Sequence, residues 1–132
     1  MWRAWAAAVG LVSFAWLATE ARQLTAVLVL AAALTVTAAG PRAGRWVTKK
    51  RSGLPRLAAA GLAGCGIGAC VPWVAAGLML VKVSLHSHAQ TEFSTDELIA
   101  VLGRIPVWAV GGGLLGGAAV LAPGLWARRA PG

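Results

Sequence analysis

Two histidines, His86 and His88, stand two residues apart in the most polar part of the chain. In an extended strand such residues point the same way, so two imidazoles could share a metal ion. Glu92 or Asp96 would supply a third ligand. Two histidines and a nearby acid form no specific pattern, and a solvated loop is the preferred reading. Histidine titrates near neutrality, which leaves a pH response open. Cys65 and Cys70 are five residues apart within one apolar run. On a helix that is about 7.5 Å of axial rise with the two on different faces. That spacing argues against a disulfide between them and for two small packing residues. No phosphate-cradling loop, nucleophile elbow or other catalytic signature is present. No cofactor is indicated.

The surrounding elements have to be helices in lipid. The chain has 132 residues, 58% of them hydrophobic and 12% charged. A soluble domain carries about 25% charged residues, and a domain this small cannot hide that much apolar surface from water. The net charge of +8 raises nucleic acid as a partner. The basic residues, however, sit at the ends of apolar runs, where anionic headgroups suit them better, so no nucleic-acid partner is expected.

The organising stretch is Pro41–Arg56, PRAGRWVTKKRSGLPR, with six of the twelve Lys and Arg residues and no acid. It reads as a cytoplasmic loop between membrane spans. Gly40-Pro41 is expected to stop the helix before it. Four spans are expected: residues 2–18, 24–40, 57–81 and 105–126. The first could instead be a cleaved signal peptide. Glu20 makes a poor cleavage site, so a retained span is preferred. Pro72 is expected to kink the third span. With both termini inside, nine basic residues lie inside and three outside, namely Arg22, Lys82 and Arg104. All four acids fall outside. The bias predicts cytoplasmic termini, in an inner membrane if the source is bacterial.

Spans three and four carry glycines at helix-packing spacing. Gly64 and Gly68 form one GxxxG pair, and Gly112/Gly116 and Gly113/Gly117 form two more. Such pairs let backbones approach closely. Between these spans, Ser94 and Glu97 have capping-box spacing and Phe93 with Leu98 fits a hydrophobic staple, so a helix should begin at Thr95. Its residues Leu98, Ile99, Val101 and Leu102 are expected to share an apolar side. The helix would lie on the outer membrane surface. Asp96, Glu97, Leu98 and Leu102 are the candidate partner contacts.

No ionisable residue is expected inside a span, because Lys82 is taken to end the third. That argues against ion coupling. It also breaks a resemblance to the small multidrug-resistance transporters, which need a membrane-embedded glutamate where this chain has only Glu20 at a span end. Four-span thiol–quinone oxidoreductases need C-x-x-C pairs, which Cys65 and Cys70 do not form. The Ala-, Gly- and Arg-rich spans, Leu54-Pro55-Arg56 and Arg128-Arg129 resemble small four-span membrane proteins of high-GC bacteria. That resemblance implies a class and no activity. The expectation is an all-α membrane bundle acting as an accessory or structural subunit, not an enzyme. Its partners would be the bilayer and another membrane protein or a second copy. An oligomeric carrier of lipid or small molecules is the alternative, and a metal-dependent membrane enzyme using His86 and His88 the third reading.

Overall fold

The structure is a computed structural model. It describes residues 2–18, 24–50, 53–85 and 93–127, with side chains described to residue 16 in the first stretch and 122 in the last. Every regular element among the described residues is an α-helix. They are α1 (Trp2–Ala18), α2 (Leu24–Thr48), α3 (Leu54–Leu85), α4 (Thr95–Leu102) and α5 (Ile105–Ala127). Three stretches are long and apolar enough to cross a membrane: Leu24–Thr48, Leu54–Leu85 and Thr95–Ala122.

α2 does not stop at Gly40-Pro41. It continues through Pro41 for two further turns. A proline removes the hydrogen bond to the carbonyl four residues back, here that of Thr37. Neighbouring side chains can make such an interruption tolerable. Next to it, Arg42 Nη1 donates to the carbonyl of Ala38 at 3.0 Å, which leaves the Thr37 carbonyl unchanged. The expected basic loop is therefore mostly helix. Arg42 and Arg45 belong to α2 and Arg56 to α3. The turn closes at Gly53, whose φ of 91° is the left-handed conformation glycine adopts without strain. The Gly53 carbonyl then accepts from the amides of Arg56 and Leu57, starting α3.

α3 is the axis of the molecule. At 32 residues it is about 48 Å long, and the largest helix pairings are α3 with α5 and α3 with α2. It extends beyond the predicted span at both ends, and Pro72 lies buried within it. α1 rests on α2, with Trp5 Nε1 donating to Thr37 Oγ1 at 3.0 Å.

α4 begins at Thr95, where the capping spacing places it. The Ser94 side chain accepts from the Glu97 amide, and the Glu97 carboxylate accepts from the Ser94 amide at 2.7 Å. The predicted apolar side needs one correction. Val101 is fully buried and Leu98 and Leu102 are half-buried, but Ile99 is 63% exposed. At about 100° per residue, Ile99 lies about 160° round the helix from the buried Val101. Phe93, Leu98 and Val101 pack into the apolar core with Met79 and Val27. After Gly103-Arg104 the chain turns directly into α5, with Trp108 N–H donating to the Arg104 carbonyl at 3.1 Å.

Candidate functional site

Two regions of α3 can bind or position something, and they are built from opposite materials. The first is the glycine seam with α5. An added Cβ at Gly64 would collide with the carbonyl oxygen of Gly112, and one at Gly112 with that of Gly64. An added Cβ at Gly68 would meet the Trp108 carbonyl, and one at Gly116 the Ala60 carbonyl. Glycine is required at these positions because backbone faces backbone. Gly113 faces the Cys65 sulfur, a side-chain atom, and Gly117 has only ordinary contact distance to Leu57 at 3.6 Å. The six predicted packing glycines thus fall on this helix pair with unequal constraint.

Beside the seam an apolar groove of about 580 Å³ opens between α2, α3 and α5. Ala32 and Val36 form one wall, Ile67 and Val71 the floor, and Val107 and Trp108 the other wall. Gly111 also lines it, and an added Cβ there would meet nothing within 4 Å. α2 and α5 do not pack extensively on each other, so the groove is the gap they leave above α3.

The second region surrounds an ionisable side chain that the sequence reading put at the end of the third span. α3 runs on to Leu85, so Lys82 lies inside the helix and is 0% exposed. Its Nζ sits 4.1 Å from the ring centroid of Trp16. An ammonium over an indole face is attracted by the ring quadrupole, more strongly when both are desolvated. Lys82 also lies in the last turn of α3, where the helix dipole favours a cation. Its flanks, Leu80-Val81 and Val83, were the available signal, since an apolar run continues past the lysine. The core around it, with Trp16, Met79, Phe93 and Val101, joins α1, α2, α3 and α4. This site anchors helices. Lys82 lines none of the grooves described here between the helices.

The other predicted residues are placed as follows. Asp96 is exposed in the first turn of α4, and Glu97 is held in the capping box. Ser94 Oγ lies 3.2 Å from the same Glu97 carboxylate, so this acid has a structural task. His86, His88 and Glu92 lie outside the described residues. Among the described residues no group of three His, Cys, Asp or Glu side chains could hold a metal. Cys65 and Cys70 are free thiols, Cys65 half-buried and Cys70 exposed. No family model, curated protein or solved structure matches this chain.

Proposed function

We propose that the protein is a small integral membrane subunit that binds a transmembrane helix of another membrane protein in the groove between α2 and α5. The observation that carries this reading is the incomplete packing of α5. Among the long helices that helix packs extensively only on α3, and only 6% of the most apolar window of Thr95–Ala122 is buried. Val107, Val110, Leu114 and Leu115 are all more than 60% exposed. A bilayer solvates such side chains, so their exposure alone needs no partner. The groove adds a shape, with α3 as floor, two helices as walls and a glycine, Gly111, that packs against nothing. Small residues at a membrane helix surface permit close approach of a second backbone. The lining offers no charge, so the partner face is apolar.

In this reading the chain crosses the membrane four times, with both termini and the basic end of α2 on the cytoplasmic side. α1 is the shortest crossing, 17 residues or about 25 Å. It is retained in the bundle because Trp16 covers Lys82 and Trp5 bonds to α2. Without α1, Lys82 loses its aromatic cover. α4 leads into the last crossing from the outer side, since Thr95–Ala122 is together long and apolar enough to span.

Photocrosslinkers at Val107 and Leu115, beside the groove, test the proposal against one at Leu62, which is exposed on α3 outside it. The groove positions should capture one discrete protein in intact membranes, Leu62 should not, and Gly111→Leu should abolish the capture. Equal capture at all three sites overturns the reading. Capture of lipid alone at the groove overturns it in favour of a lipid carrier. The topology has its own check. Cysteines replacing Lys50 and Asp96, in a chain lacking Cys65 and Cys70, should label from opposite sides of the membrane.

A further inference from the structure

A separate cavity lies where the start of α3 meets the far part of α5. It measures about 430 Å³ and is lined by Gly53, Leu54, Arg56, Leu57, Val120 and Leu121. Five of these six residues are apolar or glycine, and the sixth is an arginine. Arg56 is half-buried, and its Nε is wholly buried with no hydrogen-bond partner among the described residues. That nitrogen has no surface a ligand could touch, so what Arg56 offers the cavity is its charge and the part of its side chain that stays exposed.

No acid of this chain's described part can serve it. The segment from Leu24 to Lys82 contains no Asp or Glu. The two described acids, Asp96 and Glu97, are on α4, which packs with the opposite end of α3. Two further features favour an anion here. The cavity sits at the N-terminus of a 32-residue helix, whose dipole attracts negative charge. Arg42, Arg45, Lys49 and Lys50 crowd the neighbouring end of α2 and its turn. The apolar walls of Leu54, Leu57, Val120 and Leu121 demand something else of the same ligand, namely hydrocarbon. Arg56 binds phosphate oxygens with a planar fork of donors.

We propose that this cavity holds one anionic phospholipid, its phosphate on Arg56 and the start of one acyl chain against Leu57, Val120 and Leu121. The site is independent of the α2–α5 groove and shares no lining residue with it.

The full chain, purified in mild detergent and stripped of lipid, is titrated with phosphatidylglycerol or phosphatidylcholine and read by native mass spectrometry. One phosphatidylglycerol should be retained in preference to phosphatidylcholine. Arg56→Gln should weaken that retention by about tenfold, the loss expected for a charge-assisted hydrogen bond. Arg45→Gln removes a charge from an exposed position near the same end of the molecule and should leave retention within twofold. Arg56→Lys keeps the charge without the fork and should fall between. Helical circular dichroism confirms that each variant is folded. If Arg56→Gln does not fold, Val120→Trp fills the cavity and must lower retention instead. Equal loss for Arg45→Gln and Arg56→Gln would mean a diffuse basic belt, and the site is then rejected. Equal retention of the two lipids also rejects it. So does competition by inorganic phosphate at concentrations where glycerol alone has no effect, because the cavity would then bind a free anion and not a lipid.

Discussion

The two ends of α3 solve the same problem with different parts. Toward its N-terminal half α3 meets α5 through glycines, with backbone against backbone at Gly64 and Gly112. Toward its C-terminal half it meets α1, α2 and α4 through interlocked side chains, Met79 and Lys82 against Trp16, Val27, Phe93 and Val101. Lipid is as apolar as leucine, so neither region gains much from the hydrophobic effect, and both rely on contact and fit. At Gly64, Gly68, Gly112 and Gly116 the seam gains fit by bringing two rigid backbones together, with no rotamer left to adjust. The side-chain region has long, flexible members that can shift. The seam should therefore respond abruptly to one added methyl group. The side-chain region should respond in proportion to the volume removed.

The largest effect is expected at Trp16, which is 9% exposed and holds the last turn of α1 in place. Trp→Ala in a soluble core costs 3–5 kcal/mol. In lipid the transfer part is reduced while the cavity remains, so Trp16→Ala should cost about 3 kcal/mol. Trp5→Ala exposes no cavity, because Trp5 is 51% exposed and contributes one hydrogen bond. It should cost about 1 kcal/mol. Thermal midpoints in detergent rank the two. Equal losses would mean that α1 is held along its length and not anchored at Lys82.

Gly64→Ala comes next and tests the seam. The new methyl group faces the Gly112 carbonyl, which cannot rotate away, so the helices must separate. Overpacking of this kind costs about 1–3 kcal/mol. Gly66→Ala, two residues on, meets nothing within 4 Å and gains slightly from helix propensity. The pair is measured by thermal midpoint and by crosslinking between α3 and α5. If both variants behave alike, the glycines reflect composition and the contrast between the two ends of α3 fails.

Part of this contrast was legible in the sequence. The GxxxG spacings placed glycines on α3 and α5, and the Ser94–Glu97 spacing located the start of α4. The end of α2 was misplaced because a Gly-Pro pair breaks a helix in water. Here α2 runs through Pro41 to Thr48, with only the Thr37 carbonyl losing its usual partner. Lys82 was misplaced for a different reason. A single lysine at the end of an apolar run is satisfied equally by water or by an aromatic face. Trp16, which decides between them, is 66 positions away in sequence. The Arg56 cavity left no local signal, since its walls come from two segments far apart in sequence, Gly53–Leu57 and Val120–Leu121. The difference between Gly113 and Gly64 was also hidden, because spacing alone cannot say whether a carbonyl or a thiol lies opposite.

Lys82→Met tests whether the side-chain region depends on charge. Methionine nearly preserves the shape and removes the ammonium. If the cation over Trp16 is the main contribution, the loss is about 1 kcal/mol. A loss of 3–5 kcal/mol would instead mark a broken buried ion pair. That result would move this end of α3 from anchor to charge-bearing site.

The smallest effect is expected at Gly113, and it separates the seam's rigid positions from its soft one. An added methyl there meets the Cys65 sulfur, 2.5 Å away before any adjustment, with the nearest backbone atom, the Gly61 carbonyl oxygen, at 3.5 Å. Cys65 is half-buried and free, so its χ1 can turn the sulfur aside at roughly the cost of a strained rotamer, about 0.5–1.5 kcal/mol. Part of that cost returns as helix propensity, because alanine exceeds glycine by about 0.8–1.0 kcal/mol. Gly113→Ala should therefore lie within about 0.5 kcal/mol of the parent chain. In a Cys65→Ala background the obstacle is gone, and the same substitution should become neutral or slightly stabilising. Gly64→Ala should cost as much in that background as in the parent, since no change at Cys65 moves the Gly112 carbonyl. A double-mutant cycle on thermal midpoints reads the coupling. Coupling between positions 65 and 113 with none between 65 and 64 assigns the seam's rigidity to its backbone contacts. Equal coupling to both would mean that α3 and α5 move as a whole when any one position is filled.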